Sequence, residues 1–174
     1  MNVLIILKLI KQIRVMVIAY LGLGTNMGDR AENLASVRNR LAELFVAVES
    51  VSPVYISKPW GFKSDHDFFN QVIAIKTEVD AFNLLDLAQE MENKMGRIRS
   101  VKGYSDRIID IDILFYGNEI ISSKPLIIPH PLLHKRMFVL QPMADIAPDF
   151  IHPVFNKTIA ELMAECEDEP LFPL

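Results

Sequence analysis

The chain has almost no cysteine, no long apolar run and no excess of basic residues. Each shortage excludes some classes of protein. Cys166 is the only cysteine among 174 residues, so the chain lacks the thiols for an internal disulfide or a cysteine-ligated metal. This usage is typical of the reducing cytosol, and we expect a cytoplasmic protein. The formal charge of −4 disfavours a general nucleic-acid binder, so we expect no nucleic-acid partner.

Residues 1–15 carry the apolar run from Val3 to Leu7, which Lys8, Lys11 and Arg14 follow. The run is too short to cross a bilayer, and its basic residues come after it rather than before it as in a signal peptide. A peripheral amphipathic anchor is the alternative interpretation. We interpret residues 1–15 as an extension outside the core without stable membrane association, and residues 16–174 as one domain, expected to be a monomer.

Hydrophobic periodicity predicts strands that alternate with helices along this domain. Asp29 and Asp80 are expected helix N-caps, and Gly96 is an expected C-terminal cap. The predicted strands cover residues 17–23, 45–55, 68–79 and 108–116, with a hairpin turn at 116–119. The predicted helices follow Asp29, cover 81–95, and recur at 137–144 and 158–166. This order predicts an α+β fold, a ferredoxin-like α-β sandwich whose antiparallel sheet carries two helices on one face.

Two aspartates lie in register on the last predicted strand. Because side chains alternate across a strand, Asp110 and Asp112 share one face, about 6.6 Å apart along the strand, opposite the core residues Ile109, Ile111, Ile113 and Phe115. Paired carboxylates repel each other, and a divalent cation relieves that repulsion. Oxygen-only ligands favour Mg²⁺, which binds carboxylates together with substrate phosphates. The alternative is a polar strand face without a ligand.

A basic segment leads into this strand. It carries a cluster of cations against the single acid Asp106, and arginine forks match phosphate oxygens. On the preceding helix, Gln89 and Glu92 share a face and can bond a nucleotide, or simply face solvent. The pairing of phosphate-binding cations with metal-binding carboxylates predicts phosphoryl-type transfer from ATP. The cations are Lys94, Arg97, Arg99, Lys102 and Arg107.

Phe68 and Phe138 each have a polar companion, Asn70 and Arg136 respectively. Two such rings can sandwich a flat heterocycle whose edge an amide can bond, although core packing is the simpler interpretation of both rings from sequence alone. His130, fixed between two prolines, can donate to a phosphate or cap a turn.

Together these motifs resemble the 6-hydroxymethyl-7,8-dihydropterin pyrophosphokinase family of folate synthesis, from about Val17 to the C-terminus. Singly the motifs are weak, whereas their joint order and spacing are specific. They are Gly-Leu-Gly-Thr-Asn (22–26), residues 55–61, Phe68-Phe69-Asn70, Gln89/Glu92/Gly96-Arg97, Arg107-x-x-Asp110-Ile111-Asp112, Pro129-His130 and Arg136-x-Phe138.

The resemblance implies a ferredoxin-like fold and transfer of the β,γ-pyrophosphoryl group of ATP to hydroxymethyldihydropterin, with AMP as the other product. It implies two Mg²⁺ ions on Asp110 and Asp112, and catalytic roles for these aspartates, Arg97 and Arg107. The implied ATP-binding residues are Gln89, Glu92, Arg97, Arg107, His130 and Arg136. The implied pterin-binding residues are Ser57, Pro59, Trp60, Phe68, Asn70 and Phe138.

The chain also departs from the family pattern. Residues 104–106 are Tyr-Ser-Asp where the signature usually has Trp-Gly-Pro, and Asp106 is expected to compete with ATP for the Arg107 guanidinium. Pro125 stands where an arginine is often found, and Pro131 where a tyrosine is common. The metal and pterin positions are intact, so we expect activity.

Two other classes fit parts of the pattern. A dinucleotide-binding enzyme is suggested by Gly22-x-Gly24-x-x-x-Gly28 after a strand, but the spacing is one residue too long and the later elements do not alternate as a doubly wound sheet requires. An RNA-binding module shares the ferredoxin-like topology, but the negative charge and the missing aromatic-basic strand motif oppose it.

Overall fold

A computed structural model describes residues 16–44, 47–97 and 104–174 of the chain. The expectations for residues 1–15, for the start of the second strand at Phe45, and for Arg99 and Lys102 in the basic segment lie outside the described residues.

The described elements follow the predicted order closely. The strands are β1 (Val17–Thr25), β2 (Ala47–Val51), β3 (Tyr55–Ser57), β4 (Phe68–Thr77), β5 (Asp110–Tyr116), β6 (Ile121–Ser122) and β7 (Ile127–Ile128). The helices are α1 (Arg30–Glu43), α2 (Ala81–Lys94), α3 (Met137–Ile146) and α4 (Ile159–Ala164), with a 3₁₀ turn at Leu133–Lys135.

Local capping explains where the helices begin and end. The Asp29 carboxylate accepts from the backbone N–H of Glu32 at 3.0 Å, and Asp80 caps the first turn of α2 in the same way. Thr158 begins α4 with a reciprocal capping box. Gly96 follows α2 with φ of +88°, a left-handed conformation that glycine adopts without strain. The predicted caps at Asp29, Asp80 and Gly96 are confirmed, and the capping box at Thr158 adds one that was not predicted.

The main sheet has five strands in the order β2-β4-β1-β5, and β3 pairs with the other half of β4. Every pairing within it is antiparallel. The central strands β1 and β4 are therefore flanked by β5 on one side and by β2 and β3 on the other. This arrangement confirms the predicted ferredoxin-like α+β fold.

Helices cover both faces of this sheet. Leu34 of α1 and Leu84 of α2 pack with Ile111 and Ile113 of β5 in one core cluster, as predicted. On the opposite face, helices α3 and α4 pack together with Tyr20 of β1 in a second cluster. The second layer was not expected. It matters for function because α3 closes one side of the cleft described below.

Three local expectations are wrong, each for an identifiable reason. A β-bulge leaves Leu114 without a partner on β1, so Phe115 joins the second core cluster rather than the face of Ile113. The expected second strand divides into β2 and β3 at Ser52, whose hydroxyl accepts from the Val72 N–H at 3.0 Å. The turn after β5 exists, but β6 pairs with β7 instead of forming a hairpin with β5.

Candidate active site

A cleft of about 330 Å³ opens where β1, β4 and β5 lie side by side. Most of the side chains singled out from the sequence line this cleft, although the chain supplies them from well-separated segments. The predicted site residues that line it are Ser57, Trp60, Phe68, Asn70, Arg97, Arg107, Asp110, Asp112, His130, Arg136 and Phe138.

The floor of the cleft is formed where β1 contributes glycines opposite the two aspartates. Gly22 pairs with Asp112, and Gly24 pairs with Asp110. A Cβ atom on Gly22 would lie 3.2 Å from Leu114 Cδ2, a tight contact. The glycines therefore leave the two carboxylates open to the cleft. The predicted common face of Asp110 and Asp112 is confirmed, while their metal role stays a prediction.

The two carboxylates are electrostatically unlike. Asp110 forms ion pairs with the Arg97 guanidinium and, at 3.0 Å from its Oδ2, with Arg107 Nε. Burial and the neighbouring charge of Asp110 raise the pKa of Asp112 well above its ordinary range. A cation bound next to Asp110 and Asp112 would neutralise both carboxylates and relieve the repulsion between them.

Glu92 supports this strand from beneath rather than from inside the cleft. Its carboxylate is buried, accepts from the Ile111 backbone N–H at 2.8 Å and pairs with Arg97. Gln89 lies half-buried on α2, and neither residue belongs to the cleft lining. Their expected contact with nucleotide stays a prediction. Glu92 is connected to the cleft through its ion pair with Arg97.

Two arginine nitrogens in the cleft wall lack acceptors. Within the part of the chain that the structure describes, Arg107 Nε and Arg136 Nε are the buried side-chain polar atoms that make no hydrogen bond. The Arg107 Nε contact with Asp110 has the distance of an ion pair without the geometry of a hydrogen bond. A buried donor without an acceptor is costly, so Arg136 Nε favours an anionic ligand in the cleft.

His130 faces the same cleft as a neutral donor. Its backbone N–H donates to Leu114 O at 2.9 Å, which fixes it beside β5, and its Nδ1 accepts from the Leu132 N–H at 3.3 Å. Burial, followed by the charge of Arg136, lowers the pKa of His130 to about 4. With Nδ1 acting as an acceptor, the neutral ring carries its proton on Nε2, where it can donate to a phosphate.

Aromatic rings and one amide line the same cleft, in contact with the arginines: the Arg136 guanidinium carbon lies 4.5 Å from the centre of the Trp60 ring. The Asn70 amide donates to Ser57 Oγ at 2.9 Å and to Tyr55 O at 3.3 Å, which orients its carbonyl oxygen as the remaining acceptor. Phe68 and Phe138 both contribute to the lining, as does Trp60. Pro59, also expected here, lies between lining residues without lining the cleft itself. These rings and the Asn70 carbonyl oxygen suit a flat heterocycle with polar edges.

Several residues that line the cleft were not assigned to the site from the sequence, and Tyr104, Lys58 and Phe62 are three of them. Tyr104 accepts a hydrogen bond from Arg136 at 2.7 Å and packs edge-on against Trp60 at 5.9 Å. Lys58 and Phe62 also line the cleft. The signal for Tyr104 was present, because this aromatic residue stands where the family signature has tryptophan. Lys58 and Phe62 carried no comparable signal.

The donor set of the cleft fits a hard divalent cation. Among the described residues, no group of three or more His, Cys, Asp or Glu side chains is arranged to hold a metal ion. Two carboxylates alone suit Mg²⁺, which usually retains waters and takes its other ligands from substrate phosphates. In the described part of the chain, no helix combines the length and apolar character needed to cross a bilayer.

Comparison with known proteins connects this cleft to one family. Residues 20–148 match the family model described as 7,8-dihydro-6-hydroxymethylpterin-pyrophosphokinase (HPPK). The chain is 41% identical to the 2-amino-4-hydroxy-6-hydroxymethyldihydropteridine pyrophosphokinase of Aquifex aeolicus, covering 86% of this chain and 92% of that protein. The protein of the same description from Haemophilus influenzae is 37% identical, with 91% and 99% covered.

Longer relatives contain a region similar to this chain. The folic acid synthesis protein FOL1 of Dictyostelium discoideum is 39% identical over 81% of this chain, which spans 21% of that protein. Among solved structures, Plasmodium falciparum HPPK-DHPS with pteroate matches with a TM-score of 0.68 at 20% identity, covering 87% of this chain and 42% of the solved one. At that identity, the structural match supports the fold alone.

Proposed function

Because the chain belongs to the 7,8-dihydro-6-hydroxymethylpterin-pyrophosphokinase family, we propose that its cleft transfers the β,γ-pyrophosphoryl group of ATP to the hydroxymethyl oxygen of 6-hydroxymethyl-7,8-dihydropterin. The products are AMP and the pterin diphosphate, an intermediate of folate biosynthesis. The observation that carries the proposal is the joint placement of Asp110 and Asp112 in one cleft with arginines and aromatic rings.

Asp110 and Asp112 are the residues that would hold magnesium, and we propose two ions. The raised pKa of Asp112 and the proximity of Asp110 support a cation shared by the pair. Bound Mg²⁺ would neutralise phosphate charge and orient the phosphate oxygens.

The arginines hold the triphosphate in this proposal. Arg97 and Arg107 turn their guanidinium groups from Asp110 toward the phosphates, and Arg136 Nε, which makes no hydrogen bond, supplies a further donor. His130 donates from Nε2. The roles of Gln89 and Glu92 at the nucleotide remain predictions, with Glu92 positioned to hold Arg97.

Pterin binds against the aromatic rings that line the cleft. Phe68 and Phe138 stack on its faces, and Asn70 bonds its edge through the amide that Ser57 orients. The segment with Pro59 and Trp60 supplies backbone contacts. Catalysis then consists of positioning and charge stabilisation, because phosphoryl-type transfer to a hydroxyl needs little covalent help from the protein.

Three wider features belong to the same proposal. The enzyme is cytoplasmic and monomeric, acts on small molecules rather than nucleic acid, and has no stable membrane association. Residues 16–174 form a single catalytic domain, and residues 1–15 form an extension outside it.

The deciding experiment incubates the protein with Mg-ATP and hydroxymethyldihydropterin and separates the nucleotide products. We expect AMP in equal amount to pterin diphosphate, and no product when EDTA removes the metal. Formation of ADP, or undiminished turnover in EDTA, would refute the proposal. Trp60 is the only tryptophan and lines the cleft, so its fluorescence should respond to Mg-ATP with pterin and not to NAD.

A further inference from the structure

Asn26, directly after β1, connects three segments around the cleft. It is 4% exposed. Its side-chain Nδ2 donates to Asp106 Oδ1 at 2.6 Å and to His66 O at 3.3 Å, while its Oδ1 accepts from the Arg107 backbone N–H at 2.8 Å. Its own backbone N–H donates to Arg107 O at 3.1 Å. Asn26 thus holds the Arg107 peptide from both sides.

The orientation of the Asn26 amide is fixed by its partners. The Arg107 N–H can only donate, so Oδ1 must face it, and the Asp106 carboxylate can only accept when ionised, so Nδ2 must face that group. Hydrogen bonds from Ser64 and from Asn26, ahead of any effect of Arg107, lower the pKa of Asp106. The acid expected to compete for Arg107 is instead bonded by Asn26 and Ser64.

Arg107 is held at its side chain as well. Its guanidinium carbon lies 5.1 Å from the centre of the Phe68 ring, and its Nε lies 3.0 Å from Asp110 Oδ2. The ladder between β1 and β5 ends at the pair of Gly24 and Asp110. Asn26 therefore continues the attachment of this segment to β1 beyond the last ladder pair.

We propose that Asn26 and Asp106 form a latch that positions Arg107 between the Asp110 carboxylate and the Phe68 ring, so that its guanidinium is ready to receive a phosphate. The latch is a positioning device, and its effect on turnover rests on the function proposed above. The segment also has a separate anchor, because Ile109 is fully buried in the core. Loss of the latch therefore leaves the fold intact and displaces Arg107.

The first test compares Asn26, directly after β1, with Asn33 in the first turn of α1. Asn26→Ala removes the latch, whereas Asn33→Ala removes bonds to Thr25 Oγ1 and Met27 O that support the turn without touching the Arg107 segment. We expect kcat to fall by roughly 10- to 100-fold in Asn26→Ala, the effect of a misplaced group, with the KM for pterin unchanged. Asn33→Ala should keep kcat within about threefold. Equal losses in the two variants, or none in Asn26→Ala, would overturn the latch.

A donor-acceptor exchange tests the bond itself. Asn26→Asp places two carboxylates at hydrogen-bond distance and should lose as much kcat as Asn26→Ala. Asp106→Asn keeps an acceptor for Asn26 and should retain activity within about threefold. The double variant Asn26→Asp/Asp106→Asn restores a donor facing an acceptor and should recover at least roughly tenfold over Asn26→Asp. A double variant no better than Asn26→Asp would contradict the proposal.

A readout without turnover separates the latch from the reaction. Hydrogen exchange at the Arg107 amide should accelerate at least roughly tenfold in Asn26→Ala and recover in the exchanged double variant, with amides of β4 unchanged. Unchanged exchange at Arg107 would overturn the latch even if the wild-type protein forms AMP. If the expected exchange pattern is found in a protein that forms no AMP, the latch stands and the proposed reaction fails.

Discussion

The two halves of strand β5 have opposite properties within a single run of seven residues. Its first half presents Asp110 and Asp112 to the cleft, where arginines surround them. Its second half ends in Phe115 and Tyr116, which are buried in the two core clusters. The first half holds like charges that repel each other, and the second half holds the sheet together. The comparison separates residues that serve chemistry from residues that serve stability.

A β-bulge divides the two halves. Leu114 is the extra residue, and its side chain packs over Gly22 at the inner edge of the cleft. Because of the bulge, Phe115 turns into the second core, where it meets the rings of Tyr20, Phe150 and His152. Strict alternation would have put Phe115 on the face of Ile113. The bulge therefore lets one strand serve a cleft and both cores.

The largest effect should come from the charged half. Asp112→Ala is expected to lower turnover by at least roughly 10³-fold because it removes a proposed metal ligand. The free energy of unfolding should not fall, since the variant also removes a half-buried carboxyl whose pKa is raised. Steady-state kinetics and urea unfolding measure the two quantities. The control is Asp86→Ala, at an exposed position on α2. A large loss of stability in Asp112→Ala would break the comparison.

The buried half should show the reverse. Phe115→Ala leaves a cavity at a fully buried position, and we expect a loss of about 3–5 kcal/mol in the free energy of unfolding. Activity per folded molecule should be affected less than stability. Phe172→Ala is the matched control, because that ring is 82% exposed and its loss should change stability by less than about 0.5 kcal/mol. Urea unfolding followed by circular dichroism tests both, and equal values would contradict the assignment.

A smaller effect should follow from a ring at the cleft. Phe138→Ala is expected to weaken pterin binding by about 1–3 kcal/mol, the range measured for aromatic stacking on a flat base, and to affect ATP binding much less. Calorimetric titration with each substrate measures the split. Phe155→Ala, a partly exposed ring outside the cleft lining, serves as control. Equal losses for both substrates in Phe138→Ala would mean that the assignment of Phe138 to the pterin site is wrong.

An effect that depends on pH also concerns the buried half. Burial, followed by the charge of His134, lowers the pKa of His152 to about 4, below the ordinary value of 6.5. Between those values the unfolded chain binds the proton more readily than the folded one, so this group destabilises the fold as pH falls from 6.5 toward 4, by up to about 1.4 kcal/mol per unit. The effect is absent above 6.5 and does not grow below 4.

His152→Asn isolates this effect. His152 Nδ1 accepts from the Val154 and Phe155 backbone N–H groups, and the asparagine Oδ1 can replace that acceptor without titrating. The free energy of unfolding of the variant should therefore fall less steeply than that of the wild type between pH 6.5 and 4. Parallel curves across this window would contradict the assignment.

Much of the fold followed from local signals in the sequence. The caps at Asp29, Asp80 and Thr158 and the left-handed Gly96 are local choices that neighbouring residues dictate. The bulge at Leu114 was beyond such reasoning, because it depends on how β1 pairs with β5. The pairing of β6 with β7 was missed for the same reason.

The site divides in the same way. Strand alternation predicted that Asp110 and Asp112 share a face, since that depends only on the local period. The placement of Glu92 beneath β5 depends on how α2 packs on the sheet, which the helix sequence alone does not specify. The bond from Asn26 to Asp106 was likewise not anticipated, because Asn26 lies far away in the chain.

The most direct test of the account counts metal ions at the two aspartates. Manganese can replace magnesium as a paramagnetic probe, and its binding in the presence of a non-hydrolysable ATP analogue can be followed by electron paramagnetic resonance. We expect two ions per chain in the wild type and in Asp86→Ala. We expect the loss of at least one ion in Asp110→Ala and in Asp112→Ala. Full occupancy in both cleft variants would contradict it.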